Sequence, residues 1–253
     1  MNRLIAFLIV CLVFNASPVL LMAGENPKTL KIGAAAPNFK LPGVDGKEYT
    51  LASFSNANIL VVIFTCNHCP TSQAYEERIK QLVSDYSSKG VQVVAIMPNI
   101  ADGLELSELG YTELGDSFED MKLRARDKQY NFPYLYDGKT EETSIAYGPA
   151  ATPHVFIFDK ERKLRYQGRI DDTEKPTKTP HSSDTKNAIE ELLRGKDVTV
   201  KTTKVFGCST KWKEKRYLVK ESDDEWAKQP VSVENIDDAG VSELMKNSTG
   251  KCY

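Results

Sequence analysis

The run Ile-Leu-Val-Val-Ile-Phe at residues 59–64 constrains the fold more than any other stretch of the chain. Six consecutive large apolar side chains with no polar alternation suit a strand covered on both faces, as in a parallel or mixed sheet packed between helices. Thr65 and then Cys66-Asn67-His68-Cys69-Pro70 follow directly. Beyond them Tyr75, Ile79, Leu82, Val83 and Tyr86 recur at helical spacing, and Lys89-Gly90 closes that segment in the manner of a helix C-cap. VQVVAIMP (91–98) reads as the next strand, so the three segments form a β-α-β unit with a right-handed crossover. The cysteines then fall at the C-terminal end of a central strand, where open α/β sheets place their chemistry.

The remaining elements extend an α/β arrangement. Residues 32–54, IGAAAPNFKLPGVDGKEYTLASF, have the short runs and Asp45-Gly46 turn of an N-terminal β-hairpin. A helix is predicted over about 116–128 from Phe118, Met121 and Ala125. FPYLYD (132–137), HVFIFD (154–159) and LRYQGRI (164–170) read as strands, with TSIAYGPAATP as a turn between the first two. A last helix is predicted over 184–194, ended by Gly195. After residue 200 the chain turns polar and irregular.

Lys and Arg total 33 against 35 Asp and Glu, so no basic excess argues for nucleic acid. The N-terminus differs from the rest. Arg3 precedes an apolar run from Leu4 to Met22 that ends in small residues and is broken by Asn15, Ser17 and Pro18. That pattern reads as an export signal rather than a spanning helix. The predicted organisation is a signal peptide over 1–23, a linker over 24–32, one domain over 33–200 and a C-terminal extension over 201–253. Export places the protein in the periplasm or another extracytoplasmic compartment, where disulfides persist. Cys11 leaves with the signal, and Cys66, Cys69, Cys208 and Cys252 allow three pairings.

A thiol of ordinary pKa is only about 3% thiolate at neutral pH, and the thiolate is the nucleophile. A helix N-terminus lowers that pKa, and a protonated His68 adds to the effect. Cys66 is expected as the attacking thiol and Cys69 as the resolving one, with Pro70 in the first helical turn. A plain structural disulfide is the bland alternative. A zinc site lacks ligands, because only His68, His154 and His181 accompany the pair and no second CxxC is present. A Cu(I) site built from Cys66, Cys69 and a histidine is chemically open. His154 is read as a packing or hydrogen-bonding residue, and Asn99, at the end of the second strand, as a residue that faces the site.

GAAAPNFKLPGVDGKEYTL, FTCNHCP, VQVVAIMPN, FPYLYD, ATPHVFIFD and YQGRIDD, taken in order, resemble the exported redoxins. These are the peroxiredoxin-like branch of the thioredoxin superfamily, of the alkyl hydroperoxide reductase/thiol-specific antioxidant type. The resemblance spans about residues 30–215. It implies a thioredoxin-like fold, a central mixed β-sheet flanked by helices, and thiol–disulfide exchange with protein thiols and disulfides as partners. No organic cofactor and no metal are implied; the Cys66–Cys69 pair is itself the redox centre.

The resemblance further implies a cis peptide at Thr152-Pro153, presenting the Thr152 backbone to an extended peptide. It places Arg169 in a loop bordering the dithiol, where it could hold a thiolate or an anionic substrate group. VFGCSTKW (205–212) also recurs among such redoxins, making Cys208 either a third thiol or a partner of Cys252 in a structural disulfide. PVSVENIDDAGVSELMKNSTGK resembles the lead-in to a second thioredoxin-like domain.

Two departures from the family pattern matter. A thioredoxin carries a buried acid in the strand before its dithiol to accept the resolving thiol's proton, and ILVVIF has none. Water, His68 or a carboxylate elsewhere must serve instead. In the peroxidase pattern Pro and Thr precede the reactive cysteine, and with Cys69 in that role Val62 and Cys66 stand in their places. That departure argues against peroxidase activity, and the rival readings are a copper-binding chaperone and a thiol peroxidase.

Overall fold

A computed structural model describes residues 26–173, 175, 178–229, 237, 240 and 243. The expected signal peptide, Cys252 and the stretch resembling a second-domain lead-in, save for those last three isolated residues, lie outside the described residues. Among the described residues, no helix is long and apolar enough to cross a membrane.

The strands are β1 (Lys40–Pro42), β2 (Glu48–Thr50), β3 (Ile59–Phe64), β4 (Val91–Met97), β5 (Tyr134–Tyr136), β6 (His154–Phe158) and β7 (Leu164–Gly168). The helices are α1 (Pro70–Tyr86), α2 (Phe118–Asp127), α3 (Glu142–Tyr147), α4 (Asp184–Leu193) and α5 (Arg216–Lys228). β1 and β2 form the N-terminal hairpin, and the others make a five-stranded sheet in the order β5-β4-β3-β6-β7. β4 runs parallel to β3 and to β5, while β6 runs antiparallel to β3 and to β7. The sheet is therefore mixed and flanked by helices, the thioredoxin-like arrangement that the sequence implies.

β3 sits at the centre because its side chains feed two cores. Ile59, Val61 and Ile63 meet Tyr75, Ile79 and Tyr86 of α1, Met121 of α2 and Ile189 of α4 on one face. Leu60, Val62 and Phe64 meet Phe54, Tyr147, Phe156 and Phe158 on the other. Each fully buried side chain of this size contributes about 1.5–3 kcal/mol relative to exposure. A polar residue anywhere in β3 would face one core or the other, which explains the unbroken apolar run.

Two elements depart from the sequence reading. α3 occupies residues read as a turn; it is a six-residue helix entered through Glu141 in the left-handed region (φ 61°) and anchored where Asp137 accepts from the backbone and hydroxyl of Ser144. These are tertiary and capping contacts that a periodicity search does not register. α5 lies in the polar tail and has no buried residue; its Tyr217, Leu218 and Trp226 stay exposed.

His154, at the start of β6, is 1% exposed, and both ring nitrogens are occupied. Nδ1 accepts from the Ala150 amide at 3.1 Å, and Nε2 donates to Gln167 at 2.7 Å. This is the structural role expected from the sequence, and it leaves neither nitrogen for a metal. Burial pulls its pKa down from 6.5 to about 4. The folded state then holds His154 neutral while the unfolded chain takes up a proton, so stability falls as pH drops through that window. Urea titrations at pH 7 and near pH 4 should show the wild type losing on the order of 3 kcal/mol more than His154→Asn, whose side chain keeps an acceptor for Ala150. Equal losses in the two proteins would contradict the assignment.

Candidate functional site

The β3–β6 register builds the site. Leu60 pairs with Phe158 and Phe64 with His154. Continued two residues beyond each strand end, the same register sets Cys66 opposite Thr152. The Cys66 Sγ lies 3.0 Å from the Thr152 Oγ1, and the Cys69 Sγ lies 3.6 Å from the Thr152 carbonyl oxygen. The Thr152–Pro153 peptide is cis. The Thr152 amide in turn donates to the Cys208 carbonyl at 2.9 Å, closing an antiparallel bridge between the two residues. One threonine thus touches all three described cysteines, each of them a free thiol.

The loop between the cysteines is pinned by a residue that the sequence reading missed. Asp116, fully buried just before α2, accepts through Oδ1 from the amides of Asn67 (2.9 Å) and His68 (3.2 Å). Its Oδ2 accepts from the Asn99 side chain (2.6 Å) and from His68 Nδ1 (2.7 Å). Asn67 adds bonds to the Gly115 carbonyl and from the Tyr134 hydroxyl. With Nδ1 directed at the carboxylate, His68 Nε2 is buried and has no hydrogen-bond partner among the described residues. Asn99 does face the site, and its Oδ1 also accepts from the Lys211 amide.

The helix start and the electrostatics set the two thiols apart in a way that differs from the sequence expectation. Cys66 is not at the helix terminus: α1 begins at Pro70, and Cys69 is its N-cap residue. Cys66 is 3% exposed, and burial, with Cys69 and the Asp116 charge close by, pushes its thiol well up. The Cys208 and Cys66 thiols and the Ser72 amide at the start of α1, all beside it, draw the Cys69 thiol well down. Cys208 is pushed up by its bond to Cys69 and by burial. An exposed, anionic Cys66 was expected; both sulfurs are instead buried, Cys66 at 3% and Cys69 at 0% exposure.

Arg169 was expected beside the dithiol, but its Nε bonds Asp184 Oδ2 at 2.6 Å, near the start of α4. No hydrogen bond or ion pair joins it to a cysteine among the described residues. Oxygen and nitrogen atoms of Asp116 and His68 lie with the Cys66 sulfur within 4.8 Å of one another, a spacing that could suit a cation. Both carboxylate oxygens already accept two donors each, so a metal would have to displace bonds that hold the loop.

A sequence model of the AhpC/TSA family matches residues 32–167, just over half of the chain. The thiol-disulfide oxidoreductase ResA of Bacillus cereus is 26% identical over 170 residues, covering 64% of this chain and 86% of that protein. Among solved structures, a hypothetical protein of Sinorhizobium meliloti is 32% identical, with 75% of this chain and 98% of that one covered and a TM-score of 0.64. An uncharacterized conserved protein of Geobacillus kaustophilus is 36% identical over 75% and 96% of the two chains, also with a TM-score of 0.64. The matched family stretch contains Cys66, Cys69, Asp116 and Thr152 but stops short of Arg169 and Cys208.

Replacing Asp116 with Asn keeps the shape and removes two of the four acceptor positions, leaving buried donors unpaired. Urea unfolding of Asp116→Asn should show a loss of about 2–4 kcal/mol. A change under about 0.5 kcal/mol would mean that Asp116 does not hold the loop.

Proposed function

This chain belongs to the AhpC/TSA family of thioredoxin-superfamily redoxins, and from that premise we propose a thiol–disulfide oxidoreductase whose Cys66 and Cys69 alternate between dithiol and disulfide. The observation that carries the reading is the meeting of both sulfurs with Thr152 at one sheet end, with Cys69 the residue directly before α1. ResA supports it as a relative whose name states that chemistry.

In the reductive direction the Cys69 thiolate attacks one sulfur of a protein disulfide, and the other sulfur leaves as a thiolate. The Cys66 thiol then gives up its proton and attacks Cys69 in the mixed disulfide, releasing the second substrate thiolate. Two electrons pass from the dithiol to the substrate, and the reverse sequence oxidises a protein dithiol. His68, its ring oriented by Asp116, is the buried base near Cys66 that can take the proton. This fills the place of the acid that β3 lacks.

In this proposal protein thiols and disulfides are the partners, and the dithiol is the redox centre without an organic cofactor. The apolar N-terminal stretch, read as an export signal, supports work in an extracytoplasmic compartment. One observation favours a second reading. An anion-favouring Cys69 is what a thiol peroxidase needs, although the Arg169 Nε is bonded to Asp184 and not to a cysteine.

Insulin disulfide reduction with a dithiol reductant separates these. Cys66→Ser and Cys69→Ser should each fall to the uncatalysed rate. Full activity in both variants would overturn the oxidoreductase reading. Rapid hydrogen peroxide turnover that survives in Cys66→Ser and vanishes in Cys69→Ser would favour the peroxidase.

A further inference from the structure

Residues 201–212 lie across the site as a strap. Gln167 and Thr202 form a parallel bridge, and the Thr203 hydroxyl accepts from the Arg169 amide at 3.0 Å. At the other end the Ile100 amide donates to the Lys211 carbonyl, the Lys211 ammonium pairs with Glu108, and Trp212 is buried. Between these anchors Cys208 meets Thr152 in an antiparallel bridge. That backbone edge is the one available to an extended peptide added to the sheet end. Gly207 makes the approach feasible: its φ is +136°, and a Cβ there would stand 2.0 Å from the Thr152 carbonyl oxygen. The strap therefore presents Cys208, half-buried against the same apolar cluster as Cys66 and Cys69, in the pose of a substrate cysteine.

We propose that Cys208 is a third redox thiol, a built-in substrate that exchanges with the dithiol to form a Cys69–Cys208 disulfide. The proposal rests on the reading of Cys66 and Cys69 as a redox pair. Starting from the Cys66–Cys69 disulfide, the Cys208 thiolate attacks the Cys69 sulfur. The Cys69–Cys208 bond forms, the Cys66–Cys69 bond breaks, and Cys66 leaves as a thiolate that takes up the proton Cys208 gave up. The exchange is an isomerisation and needs no outside oxidant. The Thr152 hydroxyl, 3.0 Å from Cys66, is placed to hydrogen-bond the leaving thiolate. The product keeps one disulfide while freeing Cys66 for a further partner.

In the full chain, Cys66→Ser leaves Cys69 and Cys208 to pair. Oxidation with diamide, quenching by acid and non-reducing peptide mass mapping should find a Cys69–Cys208 crosslink as the dominant product. Adding Cys252→Ser should leave that product unchanged. In the wild type, partial oxidation should yield a fraction with Cys66 open to alkylation, and Cys208→Ser should lose that fraction. Overturning results are Cys69 still fully alkylatable after oxidation of Cys66→Ser, or Cys208 linked to Cys252 instead. Failure of the insulin assay in the wild type would count against the oxidoreductase reading. Normal insulin turnover with no Cys69–Cys208 crosslink would sink the third-thiol proposal alone.

Discussion

The antiparallel register between β3 and β6 is the constraint from which the site follows. Because Phe64 stands opposite His154, the chain ends emerging from the two strands bring Cys66 and Thr152 together. A slip of one residue would turn every side chain of β3 to the other face, setting Ile59, Val61 and Ile63 against the wrong core. The two buried faces thus fix the register, and the register fixes the chemistry. Thr152 makes economical use of it, giving a hydroxyl to one sulfur, a carbonyl to the next and an amide to the backbone of the third cysteine.

Two opposing effects decide which sulfur holds the negative charge. Burial disfavours an anion and can move a pKa by several units, whereas a helix terminus contributes about 1 kcal/mol, and up to about 2 when partly buried. At Cys66 burial wins, since the neighbouring Asp116 charge works in the same direction and only the Thr152 hydroxyl opposes it. At Cys69 the neighbouring Cys208 and Cys66 thiols and the Ser72 amide pull the other way. The strap strengthens that preference by supplying the Cys208 thiol.

Much of this was legible in the sequence. ILVVIF, VQVVAIMP and HVFIFD were readable as strands because a segment buried on both faces needs an uninterrupted apolar run, and Pro70 marked the start of α1. The two cysteines at a strand end were equally plain. Asp116 was not, because it is one of several acids between residues 101 and 120, and its partners Asn67 and His68 lie almost fifty positions away. Its one local signal is its place directly before the Ser117 cap of α2. Cys208 was visible as a cysteine, but the bridge that delivers it to Thr152 depends on tertiary pairing and on Gly207. Arg169 was misplaced because Asp184, fifteen residues on, takes its guanidinium. The helix starts after Cys69, so the residue at its N-cap is the second cysteine and not the first.

The central claim is that the reduced site keeps its charge on Cys69. The most direct measurement is a pH titration of ultraviolet thiolate absorbance in the full chain, comparing Cys66→Ser with Cys69→Ser. The account predicts that Cys66→Ser retains a thiolate well below the ordinary thiol range, and that Cys69→Ser loses it and leaves Cys66 protonated beyond neutral pH. A low-pH thiolate that persists in Cys69→Ser and disappears in Cys66→Ser would contradict it.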